Sequence, residues 1–474
     1  MRELLLATTV MLAATIGHST TTLAQTVAPG ATQGVIASPL PVQAANNSNN
    51  SLVIPLGNGV VKPDPGTVVI HINGRVTFGA SLEESNLNKI SGPTSAKIDP
   101  DSFIGFMRLY PGIDAVATNG LRYGASIELR QNFGPTAGST ANSGESANTF
   151  SSTLFVRRAF AYLAGDRVGL VRLGQGDGVI GLFDAGVTTF QNFDTGGWDG
   201  DFSGAIPGNA NLSFPFSSLQ GSEYGSSKFV YLSPKLFGFD FGFAFAPNSG
   251  PLQDLPDTNS LTSTAATLTT CSFAASGCPA LSSSTVALDG ARPRNFTETG
   301  LRYQTQISGV GVNAFGIYVN SGHVNVSPSV AGSQFDGLSY GDFGLTFDYA
   351  GLTVGGHATT GRYNGVNGLV PQGGVNGTAW LVGAQYANGP ITVGASWFDY
   401  TSQGSPLTVG IAQRREQGLA VGGNYSIAPG LGLYLSYLYG TRHQGDFDFV
   451  AGKAANTNNN VRTQAAILGT VVKW

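Results

Sequence analysis

Apolar and polar residues alternate with a period of two over most of the chain from about residue 68 to Trp474. The clearest stretch is 237–245, where every odd position is phenylalanine and the even positions are small or acidic. A β-strand directs successive side chains to opposite faces. The alternation therefore predicts strands with one apolar face and one polar face.

Composition favours a membrane barrel over a soluble β-sandwich. Charged residues are 11 % of the chain, against roughly 25 % in soluble domains. Several strands carry charges in mid-strand on the polar face, as in 121–130 and 342–349. After the N-terminus there is no run of about 20 apolar residues, so no spanning helix is expected. One lipid-facing face and one wet inner face explain both observations.

Sixteen segments have the alternation of a strand. They are 68–80, 102–110, 119–131, 150–163, 167–174, 226–233, 237–246, 297–307, 310–320, 337–349, 352–361, 378–387, 390–400, 413–426, 431–442 and 461–474. Their connections alternate between short turns, such as 308–309 and 350–351, and long loops, such as 175–225. Bacterial outer-membrane barrels have even strand numbers, short periplasmic turns and longer outer loops. The sequence therefore predicts an all-β, 16-stranded antiparallel transmembrane β-barrel over residues 67–474.

The N-terminus has the pattern of a secretory signal over residues 1–24. Arg2 provides the positive start, an apolar core follows, and Thr22-Leu23-Ala24 is a small-residue cleavage site. Residues 25–66 are rich in Ala, Asn, Ser, Pro and Gly without periodicity, which predicts a flexible periplasmic leader.

The two cysteines, Cys271 and Cys278, lie in a Ser/Thr/Ala-rich stretch interpreted as a loop. In an oxidising compartment they are expected to form a local disulfide. Neither the cysteines nor the histidines have the spacing of a metal site, and no cofactor is expected.

Other functions find little support. The net charge of −4 argues against a nucleic-acid partner, which would need a basic patch. Residues 176–181 match the dinucleotide motif GxGxxG, but no amphipathic helix or βαβ unit is expected around them. No catalytic motif for hydrolysis is present, so no enzyme activity is expected.

The chain resembles the trimeric general porins of Gram-negative bacteria, and most of all the alphaproteobacterial type. The blocks that carry the resemblance are 109–112 (LYPG), 119–130 (NGLRYGASIELR), 158–165 (RAFAYLAG), 171–175 (VRLGQ) and the terminal aromatic Trp474. The family usually ends in Phe rather than Trp. The resemblance implies an outer-membrane channel through which small hydrophilic solutes and ions diffuse passively.

The resemblance also implies that the third outer loop, here about 175–225, folds into the barrel and narrows it. Acids on this loop would face arginines on the early strand walls. The acidic candidates are Asp177, Asp184, Asp194, Asp199 and Asp201. The basic candidates are Arg75, Arg108, Arg122, Arg130, Arg157 and Arg172. Opposed charges at a constriction create a transverse field that sorts ions without binding them tightly.

The neighbours Arg157 and Arg158 would point to opposite faces in a regular strand. An arginine that faces lipid at the midplane would cost about 2–4 kcal/mol. A subunit interface on this wall would remove that cost, which agrees with the homotrimer that the family implies. The family also implies contacts with outer-membrane lipid and lipopolysaccharide, and recognition of the C-terminal strand by the barrel-assembly machinery.

Two alternatives stay open. A barrel lipase would need a nucleophile–base pair, to which no motif points. A surface receptor or adhesin would use the outer loops and have a plugged lumen. Within the pore class, sugar-specific channels often carry a file of aromatics; Trp198 and Phe202 lie in the constriction loop but form no clear ladder.

Overall fold

The computed structural model describes residues 63–88, 97, 99–132, 154–183, 197–198, 201–207, 209–216, 226–247, 293–325, 334–365, 367–404 and 412–474. These residues fall within one compact unit of the chain, Ala37–Trp474. No helix among them is long and apolar enough to cross a membrane. The expected signal peptide, nearly all of the leader, and Cys271 and Cys278 lie outside the described residues.

Sixteen long strands within the described residues form one closed antiparallel barrel, in which each strand pairs with its neighbour in the chain. They are β1 Thr67–Ser85, β2 Asp101–Val116, β3 Arg122–Asn132, β4 Phe155–Gly165, β5 Gly169–Gln175, β6 Ser227–Leu232, β7 Phe239–Ala246, β8 Arg294–Ile307, β9 Val310–Gly322, β10 Ser339–Tyr349, β11 Leu352–Arg362, β12 Gly377–Asn388, β13 Ile391–Ser402, β14 Arg414–Ala428, β15 Leu431–His443 and β16 Asn460–Lys473. The predicted sixteen-stranded barrel is confirmed, and every candidate segment overlaps one of these strands.

The barrel closes between its first and last strands. β1 pairs with β16 from Arg75 opposite Lys473 to Ser85 opposite Thr463. Beyond this ladder, Gly74 and Trp474 exchange two backbone N–H···O bonds of 3.1 Å each. Closure removes the free strand edges that lipid could not hydrogen-bond.

The alternation sorts side chains between the two surfaces of the barrel as predicted. On β7, Phe239 and Phe241 are exposed on the outer surface, whereas Asp240 between them and Ala244 further along the strand are buried on the inner side. Phe237 is an exception, because it lies in the turn before β7 with a φ of 52° and is 90 % exposed. The stripe therefore begins at Phe239 and not at residue 237.

Short turns join the strands at the end of the barrel where the chain enters β1. Ser308-Gly309 and Ala350-Gly351 each have both central residues at positive φ, between 48° and 85°. The backbone twist of such two-residue turns matches the right-handed twist of the strands on either side, as in tight β-hairpins. The predicted alternation of short turns and long loops follows from these connections.

β2 extends further than expected, through Pro111 to Val116. The sequence predicts this strand over 102–110 only. Proline lacks an N–H and cannot donate to a ladder. The pairing between β2 and β3 runs from Leu109 opposite Leu129 to Gly112 opposite Ser126 and skips the positions between them. Pro111 falls in this interruption, so its missing N–H removes no bond to β3.

Two small sheets lie in the outer loops. The first joins Val324–Asn325, Gln334–Asp336 and Val370–Pro371, and the second joins Phe447–Asp448 with Lys453–Ala454. Phe335, Val370 and Phe447 are buried in these sheets. Gln334–Asp336 and Val370–Pro371 belong to different outer loops, so the first sheet joins two of these loops.

Candidate pore constriction

The constriction loop (residues 175–225) begins with a short helix inside the barrel. This helix, α1 (Val179–Phe183), is buried over its whole length and packs against β7, β8 and β9. The Ile180 N–H donates to Glu298 Oε2 at 3.0 Å. The Arg302 guanidinium lies 4.5 Å from the centre of the Phe183 ring and donates to Leu182 O.

This helix begins inside the GxGxxG match, where none was expected. It has only five residues, and the barrel strands around it are antiparallel. A dinucleotide site requires a longer helix between parallel strands. The motif is therefore a glycine-rich entry into the lumen.

The middle of the loop contacts strands on either side of the seam between β1 and β16. The Trp198 Nε1–H donates to Leu419 O of β14 at 3.0 Å. Phe202, in the 3₁₀ helix Asp201–Ala205, has its ring centre 4.7 Å from Tyr434 of β15 and 6.1 Å from Phe106 of β2. The loop therefore reaches from the β7–β9 wall to the β14–β2 wall.

The last described part of the loop, residues 209–216, lies along β11 to β15. Arg442 donates from Nη1 to Asn209 O, and the Ser213 N–H donates to Glu416 Oε1. Phe216 packs at 4.6 Å against the His357 ring. The expectation that this loop folds into the barrel is confirmed by these contacts on several walls.

Arginines concentrate around one carboxylate on the early strands. Glu128 of β3 is buried on the inner side and accepts hydrogen bonds from Arg130, Arg157 and Arg158. The Arg158 Nε lies 2.5 Å from Oε2, and the Arg157 Nη1 lies 3.3 Å from Oε1. Three guanidinium groups thus share one carboxylate.

The expectation that Arg157 or Arg158 points outward is wrong. The pairing of β3 with β4 shifts from Glu128 opposite Arg158 to Leu129 opposite Val156. This β-bulge adds a residue to β4, so two adjacent side chains face the same side. Both arginines contact Glu128, and the outward arginine that agreed with a subunit interface does not exist.

Asp177, at the start of the constriction loop, contacts the arginine wall directly. Its side chain is fully buried, and Oδ2 lies 3.0 Å from the Arg158 Nη1. Arg172 of β5 donates to the Asp177 carbonyl oxygen and lies with its guanidinium 4.5 Å from the Phe160 ring centre. Asp177 thus does not face the wall across an open gap.

The other predicted arginines also lie on the inner wall, at different heights. Arg75 and Arg108 are buried beside Phe106, with guanidinium carbons 5.6 and 4.3 Å from its ring centre. Arg122 is at the turn end of β3 and pairs with Asp166 of the β4–β5 turn at 2.8 Å. Arg122 therefore lies at the end of the barrel that carries the short turns.

The remaining acidic candidates cannot be compared with the structure in the same way. Asp184, Asp194 and Asp199 lie outside the described residues. The backbone of Asp201 begins the 3₁₀ helix, but its side chain is not among the described ones. Their place at the constriction stays a prediction.

Three further charged groups of the inner wall are not among the predicted site residues. Glu298 is bonded to α1, and Glu416 is bonded to Arg442 and to the constriction loop. Asp342 lies 2.7 Å from the His357 Nε2. Asp342 lies on the polar face that the alternation over 342–349 marks. Glu298 is flanked by Thr297 and Thr299, and Glu416 by Arg415 and Gln417, so no local alternation of apolar and polar residues marks these two acids as inward.

Comparisons with known proteins agree with this architecture. A family model described as Gram-negative porin matches residues 68–445. No match was found among curated proteins.

Three solved structures are similar in part. OmpT, an outer membrane protein of Vibrio cholerae, is 12 % identical with a TM-score of 0.48, and the match covers 88 % of this chain and 100 % of that chain. The anion-selective porin from Comamonas acidovorans is 12 % identical with a TM-score of 0.48, and the match covers 86 % of this chain and 100 % of that chain. Salmonella typhi OmpF in complex with daunomycin is 14 % identical with a TM-score of 0.47, and the match covers 85 % of this chain and 97 % of that chain.

Proposed function

Since the chain belongs to the Gram-negative porin family, we propose that its outer-membrane channel passes small hydrophilic solutes and ions through a constriction formed by the inward-folded loop. The family and the closed barrel make the protein a porin of the outer membrane. The observation that carries the proposal is the course of the constriction loop. It contacts β8 through Ile180 and β14 through Trp198, so it crosses the lumen from wall to wall.

The charges at this constriction are proposed to select among solutes. Buried guanidinium groups line β2 to β5, and the loop sequence between 175 and 225 contains acids but neither Lys nor Arg. Fixed charges of opposite sign across a narrow aqueous path orient dipolar solutes and favour one sign of ion. The same charges bind no solute tightly, so transport follows the concentration gradient, and no catalytic step is proposed.

A planar-bilayer measurement tests the channel. Purified protein should produce discrete conductance steps, and the reversal potential in a salt gradient should give its ion preference. Folded protein without conductance would contradict the proposal, and it is the result that a receptor with a plugged lumen would give.

Neutralising the loop acids tests their role. Asp194→Asn, Asp199→Asn and Asp201→Asn together should shift the reversal potential toward anions, because negative charge leaves the path while the wall arginines remain. Asp64→Asn and Asp101→Asn, at exposed positions near the ends of β1 and β2, serve as the control and should leave it unchanged. An unchanged reversal potential in the triple variant would place these acids away from the constriction.

The homotrimer is proposed from the family alone, because the outward arginine that agreed with it is absent. Conductance steps in groups of three and a heat-sensitive trimer band on a gel are the expected results. A folded monomer in mild detergent, with single steps only, would contradict a trimer.

The remaining partners and processing steps are proposals of the same kind. Leu468 and Val472 of β16 and the following Trp474 are exposed, and this end is proposed to be recognised by the assembly machinery. Lipopolysaccharide would contact the outer rim. Cleavage after Ala24 and a disulfide between Cys271 and Cys278 are proposed from the sequence, and mass spectrometry of the mature protein would test both.

A further inference from the structure

Paired glycines on the inner wall leave a slot for the Trp198 ring. Gly418 of β14 and Gly440 of β15 are direct cross-strand partners. A Cβ at Gly418 would lie 2.7 Å from Trp198 Nε1, and a Cβ at Gly440 would lie 2.8 Å from Trp198 Cζ2. Any larger residue at these positions would need space that the indole shares with Phe398, at Gly418, and with Leu212 of the constriction loop, at Gly440.

The indole is also held by polar and aromatic contacts. Its N–H donates to Leu419 O at 3.0 Å, and Phe398 packs edge-on with a ring-centre distance of 6.4 Å. Trp198 is only 4 % exposed. A buried tryptophan whose N–H has a partner combines a large apolar contact with a fixed orientation.

Phe202, four residues further along the loop, packs in a second binding position on the barrel wall. Each of these two positions, the one for Trp198 and the one for Phe202, is called a seat below. Its ring stacks on Tyr434 and is fully buried beside Phe106. Tyr434 can lie against the wall because glycines face it. A Cβ at Gly79 or Gly469 would come within 2.5 Å of the Tyr434 hydroxyl oxygen.

We propose that Trp198 and Phe202 are positioning residues of the channel, and that the glycine-lined seats on β14–β16 and β1 fix the constriction loop and so set the aperture. The proposal rests on the channel function proposed above. A loop seated in a close-packed wall cannot swing as a free gate, because leaving the seat exposes the ring and opens a cavity. The aperture, and with it the size limit for solutes, therefore depends on side chains that carry no charge.

Trp198→Ala empties the slot, and Gly440→Leu fills it. Each should raise the frequency of transient closures of the open channel by about tenfold, because the displaced loop becomes that much more populated. The double variant should behave like either single variant, since both remove the same contact. Trp380→Ala is the matched control, because Trp380 faces outward on β12, and its channel should resemble the wild type.

Chymotrypsin cleavage gives a readout that needs no current. The segment 175–225 contains several Phe but no Lys or Arg, so chymotrypsin can cut a released loop and trypsin cannot. Cleavage by chymotrypsin should be about tenfold faster in Trp198→Ala and Gly440→Leu than in the wild type. If Trp198→Ala fails to give a heat-modifiable folded band, Trp198→Phe replaces it, because it keeps part of the aromatic packing while it loses the bond to Leu419 O and the part of the indole that lies over Gly440.

The outcomes separate the two proposals. A wild type without conductance would contradict the channel, whereas equal closure frequency and equal cleavage in wild type, Trp198→Ala and Gly440→Leu would overturn the anchoring. Effects that multiply in the double variant would also overturn it, because they would show that Trp198 and Gly440 act at separate places.

Discussion

The carboxylate of Glu128 balances an unusual density of positive charge. Arg130, Arg157 and Arg158 all donate to it, and Arg158 also reaches Asp177. Charges that have been withdrawn from water need close partners, since removal of one partner leaves the others uncompensated. Glu128 therefore holds together a cationic wall that would otherwise repel itself.

Glu128→Gln should shift ion selectivity toward anions and weaken the barrel. It leaves three arginines without their shared anion, and the loss of one partner of a buried pair costs about 3–5 kcal/mol. The reversal potential in a salt gradient and the temperature of the heat-modifiable gel transition measure the two effects. Glu84→Gln makes the same change on the exposed outer surface of β1, where Glu84 accepts a bond from Gln464. An equal shift in both variants would contradict a special role for Glu128.

Alternation predicts which face a residue occupies but not where the alternation breaks. The inward placement of Arg75, Arg122 and Arg130 follows from a period of two. Arg157 does not, because the bulge opposite Glu128 depends on pairing between strands and leaves no mark on β4 alone. The same reason explains why Asp177 could be expected at the constriction while its direct contact with Arg158 could not.

The outer face of β7 is a lipid-facing strip. Phe239 and Phe241 are exposed there, and the residues opposite them on β8 are Tyr303 and Leu301. Aromatic and aliphatic side chains on both strands give lipid a continuous apolar surface. The strip is a property of the strand pair and not of one residue.

Phe241→Lys should reduce assembly of the barrel. A lysine on the lipid face near the midplane costs about 2–4 kcal/mol, and the cost falls toward the ends of the strand. The yield of heat-modifiable protein in isolated outer membranes measures the effect. Phe237→Lys is the matched control, because Phe237 lies in the turn and is 90 % exposed. A normal yield from Phe241→Lys would show that this face does not meet lipid.

The elements of the barrel were more predictable than the constriction loop. Each strand carries its own signature in the order of apolar and polar residues, as 237–245 illustrates. The loop has no such period, and its seats are formed by residues far away in the sequence, such as Gly418 and Gly440 for Trp198. In the sequence, nothing distinguishes these two glycines from other strand residues, because their role depends on the position of the loop in the folded barrel.

The barrel as a whole depends on one seam, where its last strand meets its first. The two bonds between Gly74 and Trp474 extend the ladder of β1 with β16 to the last residue of the sequence. The Trp474 ring lies over Gly74, where a Cβ would be 2.5 Å from Cζ2 and 2.8 Å from Cε2. The terminal tryptophan and this glycine thus fit each other at the seam.

This fit predicts a defect and its repair. Gly74→Ala should lower the fraction of closed barrel, because the added methyl group overlaps an indole that two backbone bonds hold in place. Trp474→Phe alone should close normally, since a smaller aromatic ring keeps the outward apolar contact. In combination, Trp474→Phe should restore closure to Gly74→Ala, because the nearest atom, Cζ2, belongs to the six-membered ring of the indole that phenylalanine lacks. The other close neighbour outside the indole, Leu109 Cδ2 at 2.9 Å, is the end of a flexible side chain that can move aside. The fraction of heat-modifiable protein after refolding into detergent measures closure in all four proteins.

Normal closure of Gly74→Ala alone, or a double variant worse than either single one, would show that the seam is held by its backbone ladder and not by this pair of side chains.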